Sequence, residues 1–160
     1  MSNLGKTVQN LKKDPLSKIT IVFGNESCDL DSAVCAITLA HHLNEKMNII
    51  TLPILNIEKD DVPLKTEVKF SLGGNHIDLI PTQTDLDFDQ LCNAEIMLVD
   101  HHKLIPKYSS LQSKIIEIID HRQIDPSANF PDGCKTTIEL VGSCSSLVAD
   151  KLIKEGYKVN

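Results

Sequence analysis

Ile19-Thr20-Ile21-Val22-Phe23, then Gly24-Asn25-Glu26-Ser27-Cys28-Asp29-Leu30-Asp31, then Ser32-Ala33-Val34-Cys35-Ala36-Ile37-Thr38-Leu39-Ala40 reads as strand, loop and helix. The first run is β-branched, the middle is polar and opens on Gly-Asn, and the last has helical apolar spacing. Downstream, a strand is expected at Asn48 to Leu52, followed by Pro53. The stretch from Asn56 to Pro81 is mixed, with a turn at Gly73-Gly74-Asn75. A short helix near Asp87 to Asn93 precedes a buried-type strand, Ile96-Met97-Leu98-Val99, that ends in Asp100. Another strand, Ile115-Ile116-Glu117-Ile118-Ile119, ends in Asp120. A loop from Asp125 to Gly133, a strand at Thr136 to Val141 and a helix from Gly142-Ser143-Cys144 to about Lys154 complete the pattern. Upstream, residues 1–18 read as a polar arm or short surface helix, leaving 19–160 as one domain. Alternating strands and helices predict an α/β fold with a mostly parallel sheet and helices on both faces. Ligands in such a sheet sit at the carboxyl ends of its strands.

With 160 residues, the chain is long enough for one domain and too short for two full-sized ones. A hydrophobic fraction of 41% with 24% charged residues is ordinary globular composition. The 16 Lys+Arg against 22 Asp+Glu give a net charge of −6, which argues against a nucleic-acid polymer or an anionic membrane as partner. A phosphate ligand would need local help from a metal or a helix N-terminus. Five dispersed cysteines without a C-x-x-C pair are read as reduced thiols. The N-terminus leads into no apolar leader-like run, and no apolar run approaches the roughly 20 residues of a membrane span, so a cytoplasmic location is the default expectation.

Three clusters fall at three strand ends: Asn25 with Asp29 and Asp31, Asp100-His101-His102, and Asp120-His121-Arg122. Carboxylates and imidazoles suit a hard divalent cation, and the lack of paired cysteines argues against a thiolate zinc site. Each cluster has a plainer reading. Asp29 and Asp31 precede a helix, where Asp caps and complements the dipole. The two histidine clusters could be polar turns after buried strands. Their coincidence at one sheet edge favours a metal site. Gly142-Ser143-Cys144-Ser145-Ser146 offers N–H and hydroxyl groups to an anion, or is an ordinary helix cap. His41-His42 lies on the first helix without a strand-end acid and is read as packing; His76 is assigned nothing.

The stretches Gly24-Asn25-Glu26-Ser27-Cys28-Asp29-Leu30-Asp31-Ser32, Leu98-Val99-Asp100-His101-His102, Ile119-Asp120-His121-Arg122 and Glu139-Leu140-Val141-Gly142-Ser143-Cys144 resemble the DHH phosphoesterase superfamily. Within it they are similar to the prune and eukaryotic exopolyphosphatase branch, and Leu52-Pro53-Ile54-Leu55-Asn56-Ile57 with the Asp-His-Arg variant points to that branch's animal members. The resemblance runs from about Thr20 to the end of the chain. It implies a phosphohydrolase dependent on Mn²⁺ or Mg²⁺, with two ions. The implied substrates are phosphoanhydrides such as short polyphosphate or pyrophosphate, and as a second class cyclic nucleotides. It implies Asn25, Asp29, Asp31, Asp100 and His121 as metal ligands, with Asp100 bridging. Asp100, His101, His102 and Arg122 are implied in catalysis, and His102, Arg122 and Ser143 at substrate phosphate. Cys28, inside the first motif, is read as a packing residue.

Relatives in this family continue past the Gly142-Ser143-Cys144 helix to a further metal-binding Asp and a second domain. The expected domain is therefore incomplete, truncated before its last strand; Asp150 lies within the closing helix and does not match. Two expectations follow: the N-terminal part of a phosphohydrolase, or a catalytically incompetent binding or regulatory module that keeps the metal motifs. A truncated sheet is also expected to expose an apolar edge or face and to self-associate. No protein partner is legible.

Overall fold

The computed structural model describes residues 18–73, 75–85 and 93–157. The expected N-terminal arm, nearly all of the expected helix at Asp87 to Asn93, and the last residues of the chain lie outside them. Five strands form one sheet in which every neighbouring pair is parallel: β1 (Ile19–Phe23), β2 (Thr51–Ile54), β3 (Ala94–Val99), β4 (Ile115–Asp120) and β5 (Lys135–Ile138), in the order β2-β1-β3-β4-β5. The chain leaves β1 to build β2 on one side, then returns to build β3 on the other. The carboxyl ends of β1 and β3 thus flank the switch point, where an open parallel sheet leaves a crevice. Phe23 pairs with Leu98 and Val99 with Ile119, which brings the residues after the three strands to one level.

Strand residues alternate between two cores, as a twofold side-chain period requires. On one face Val22, Met97, Val99 and Ile119 pack against helix α1 (Leu30–Lys46) and helix α3 (Cys144–Lys154). Ala36 and Ala40 let α1 approach the sheet closely. On the other face Ile21, Phe23, Ile54, Leu98 and Ile118 pack against Leu104, Tyr108 and Leu111, the last two from a 3₁₀ segment, Pro106–Lys114. The Tyr108 ring meets Phe23 edge-on, centroids 5.2 Å apart. A third cluster joins Ala33 of α1 to Val68 of a short helix, α2 (Thr66–Ser71).

Two strands depart furthest from expectation. β2 starts later and runs through Pro53, because as an edge strand it pairs only with β1 and the ring nitrogen needs no ladder partner. Its start is set by Asn44, whose amide oxygen accepts the Thr51 N–H at 3.0 Å while its amide nitrogen donates to the Thr51 carbonyl at 2.7 Å. β5 ends at Ile138 instead of Val141. The Glu139 N–H still donates to the Asp120 carbonyl at 3.2 Å, and the chain then turns away so that the Val141 carbonyl faces His121. The exposed edge strand β5 is polar rather than apolar, whereas Leu140 just beyond it is 78% exposed. Among the described residues, no helix is long and apolar enough to cross a membrane.

Candidate metal centre

The loop after β1 begins at Gly24, where a Cβ would sit 2.5 Å from the Ser32 hydroxyl. That hydroxyl accepts the Asn25 N–H at 2.8 Å, so glycine is needed for the loop to fold back on α1. Asn25 is buried. Its side-chain oxygen accepts from the Ser27 hydroxyl at 2.6 Å and the Cys28 N–H at 3.0 Å, while its amide nitrogen donates to the Asp100 carboxylate. Asp29 caps α1, accepting the Ser32 N–H at 3.0 Å, and takes the Ser27 hydroxyl on its other oxygen. Cys28 packs in the cluster that includes Ala33 and Val68, and burial pushes its thiol up to about 11.

Asp31, one residue into α1, reaches across to the N-terminus of α3. It accepts from the Ser143 hydroxyl at 2.8 Å, the Cys144 N–H at 2.8 Å and the Ser145 N–H at 2.9 Å. Burial works to raise its carboxyl, but the Ser143 hydroxyl and the Ser145 and Cys144 N–H groups outweigh it and hold the group below its ordinary value. The anion that the small-residue helix start was expected to attract is thus the chain's own carboxylate.

Asp100 follows β3 in a left-handed conformation, φ 62°, and is 1% exposed. Its N–H donates to the Ile119 carbonyl at 2.9 Å and its Oδ2 faces Asn25. Its Oδ1 is buried without a hydrogen-bond partner, 3.1 Å from His121 Nε2. His121 Nδ1–H donates to the Val141 carbonyl at 3.0 Å, which aims Nε2 at Asp100 and, at 3.8 Å, at Asp31; in the neutral imidazole that nitrogen carries the lone pair. Donor atoms of Asp31, Asp100 and His121 all lie within 4.8 Å of one another. A buried carboxylate oxygen without a hydrogen-bond partner among the described residues, facing an imidazole nitrogen and a second carboxylate, is an arrangement that a divalent cation satisfies. Asp29 is not in this group, because both its oxygens are turned into its own loop; Asn25 gives its oxygen to that loop and its amide nitrogen to Asp100.

Burial pushes the Asp100 carboxyl up to about 6, with Asp29 and Asp31 adding to the rise and Arg122 and His121 opposing it. Its value in the fold therefore exceeds the ordinary 3.8, and the stability it contributes is full below about pH 4 and lost as pH rises through 6. A cation competes with that proton for the same oxygen. The rise in melting temperature caused by Mn²⁺ is accordingly expected to be large at pH 7 and to shrink as pH falls through 6, as thermal denaturation with and without the ion will measure.

Asp120, fully buried at the end of β4, organises the third loop. Its Oδ1 accepts the N–H groups of His121 at 2.7 Å and Arg122 at 3.3 Å, and its Oδ2 accepts from His102 Nδ1. His102 Nε2 in turn accepts the Asp125 N–H at 2.8 Å, so both nitrogens of this imidazole are used within the protein. His101 donates from Nδ1 to the Val99 carbonyl at 3.0 Å; its Nε2 is buried without a partner, and burial pushes the group down to about 4. The Arg122 side chain is 48% exposed, 3.6 Å from Asp100 Oδ2. A cleft of about 190 Å³ lies here, lined by Asn25, Asn56, His101, His102, Lys103 and Arg122 among others. His42 is elsewhere, buried against Tyr157 with Nε2 2.9 Å from Glu155, where it ties α1 to the end of α3. Asp150 pairs with Lys154 on α3. Ser32 and Val141 were not legible as site residues, since a backbone carbonyl and a loop-facing hydroxyl leave no trace in residue type.

Residues 18–160 match the model of the DHH family, N-terminal domain. Exopolyphosphatase PRUNE1 of Homo sapiens is 36% identical over 141 residues, which cover 84% of this chain and 31% of that protein. Protein prune homolog 2 of Mus musculus is 29% identical over 148 residues, 88% of this chain and 4% of that protein. The crystal structure of an exopolyphosphatase-related protein from Bacteroides fragilis superposes with a TM-score of 0.56 at 16% identity, over 98% of this chain and 46% of that one. That likeness concerns the fold. The chain spans about a third of the length of the exopolyphosphatases it matches.

Proposed function

Because the chain belongs to the DHH family, we propose that residues 19–160 form the cation- and phosphate-holding domain of a metal-dependent phosphohydrolase of the prune type. Its substrates would be short inorganic polyphosphate and pyrophosphate, with cyclic nucleotides as a second class. The observation that carries this is the orphaned Oδ1 of Asp100, facing His121 Nε2 at 3.1 Å and belonging to one group with Asp31.

Asp31, Asp100 and His121 would hold the cation, Mg²⁺ or Mn²⁺ by the hardness of two carboxylates in the set. A second ion would have to draw on Asp29 and Asn25, whose oxygens are at present given to Ser27, Ser32 and Cys28. When bound, such an ion supplies positive charge against phosphate oxygens and acidifies water. The chain's own residues do the rest. Arg122 presents a guanidinium that stays charged at any working pH and suits bidentate capture of phosphate. His101, neutral near pH 7, offers a buried Nε2 lone pair beside the cleft as a hydrogen-bond acceptor. His102 braces the loop: in this arrangement it meets phosphate only by releasing Asp120 or the Asp125 N–H. Ser143 spends its hydroxyl on Asp31. A cytoplasmic location belongs to the same reading, supported by four free cysteines among the described residues.

The test is hydrolysis of tripolyphosphate, pyrophosphate and a cyclic nucleotide by the 160-residue chain with Mg²⁺ or Mn²⁺. Turnover that requires the ion is the expected result. A chain that binds Mn²⁺ and yields neither phosphate from the two anhydrides nor nucleoside monophosphate from the cyclic nucleotide overturns the hydrolase assignment in favour of a binding module.

A further inference from the structure

The segment from Val141 to Ser145 touches two of the three residues in the cation group. The Val141 carbonyl takes the Nδ1 proton of His121 at 3.0 Å, which turns Nε2 toward Asp100. Three donors at the start of α3 hold both oxygens of Asp31: the Ser143 hydroxyl and Ser145 N–H on Oδ1, and the Cys144 N–H on Oδ2. Ser143 does two jobs at once, because the same hydroxyl oxygen caps α3 by accepting the Ser145 N–H at 3.2 Å. The Ser145 hydroxyl also lies within hydrogen-bond distance of this oxygen, and where it donates there the Ser143 proton goes to Asp31.

Resting on the metal-centre reading above, we propose that Ser143 is a positioning residue for the cation. Its hydroxyl fixes the rotamer of Asp31 across the gap between α1 and α3, so that Asp31 Oδ2 is presented to the same point as Asp100 and His121. The N–H groups of Cys144 and Ser145 follow the helix and cannot reorient; the Ser143 hydroxyl completes the grip from the side. Such outer partners orient a ligand without touching the ion, and their removal costs about 10–100-fold in metal affinity.

The experiment measures the Mn²⁺ dissociation constant of the full chain from the free-ion electron paramagnetic resonance signal, with apo melting temperatures recorded alongside. Ser143→Ala and Ser143→Gly are each expected to weaken Mn²⁺ binding about 10–100-fold. The glycine variant costs the helix cap only a few tenths of a kcal/mol, so its loss of affinity is not a folding effect. Ser143→Thr keeps both the hydroxyl and the extended backbone of the cap, φ −162°, and is expected to restore affinity to within about threefold of the parent. Loss of melting temperature in the alanine variant with an unchanged dissociation constant overturns the proposal and leaves Ser143 a helix cap. A parent chain that binds no Mn²⁺ overturns the metal-centre reading itself, and is distinguished by failing before any variant is compared.

Discussion

An Asp100→Asn chain is expected to bind Mn²⁺ more than about 100-fold less tightly than the parent, beyond the loss that removal of an outer partner brings, and any metal-dependent phosphate release is expected to vanish with it. The substitution is chosen to isolate charge. Asparagine tolerates the left-handed backbone that residue 100 adopts at φ 62°, where alanine would add strain. Its amide oxygen can still accept from Asn25, so the link between the first and second loops persists. What disappears is the anionic Oδ1 that faces His121. Stability should move the other way: above pH 6 the parent's apo form carries an ionised carboxylate that burial disfavours, and the variant does not. A higher apo melting temperature together with lost Mn²⁺ binding is the combined signature. Unchanged Mn²⁺ affinity in this variant would remove Asp100 from the cation group.

Asp120→Ala is expected to cost about 3–5 kcal/mol of unfolding free energy, the range for breaking one side of a buried, hydrogen-bonded polar pair. Three donors would lose their acceptor at once: His102 Nδ1 and the N–H groups of His121 and Arg122. A domain of this size has only about 5–15 kcal/mol to lose, so the effect should be plain as a shift of the urea midpoint with an unchanged m-value. Asp120→Asn should be milder, since its oxygen keeps the two backbone N–H groups, but it sets an amide N–H against His102 Nδ1–H. His102 cannot shift its proton to relieve this without abandoning the Asp125 N–H. Equal stability of the two variants would show that the two backbone N–H bonds add little and that the His102 contact carries the loss, and a loss under about 1 kcal/mol in Asp120→Ala would mean that water replaces all three partners.

The contrast between Asp100 and Asp120 bears on how much of this protein is legible in residue order. Both are acids at the end of an apolar strand, followed by histidine, and by type they are equivalent. In the fold one has an unpartnered oxygen aimed at a gap, and the other is saturated by hydrogen bonds. The same holds for the tandem histidines: His101 keeps a bare nitrogen beside the cleft, whereas His102 has none. The expected strand ended before Pro53, which is instead an edge-strand residue, because only the sheet order says which strand lacks a second neighbour among the described residues. Ser143 was legible as a group for an anion, and the anion turned out to be Asp31, 112 residues earlier in the chain.

The sequence by itself determined the parallel α/β class, the placement of the acid and histidine clusters at strand ends, and the family. These follow from side-chain period, β-branched runs and contiguous motifs, all local along the chain. Only the tertiary structure decided which members of those clusters share a site. That choice depends on the β2-β1-β3-β4-β5 order and on the register that levels Phe23 with Leu98 and Val99 with Ile119. It depends equally on hydrogen bonds: local ones turn the oxygens of Asn25 and Asp29 into their own loop, Asp120 and the Asp125 N–H use both nitrogens of His102, and bonds from the segment that opens α3 aim Asp31 and His121 toward the open Oδ1 of Asp100. A polar side chain has a few bonds to make, and packing, not residue type, determines whether the protein has already made them.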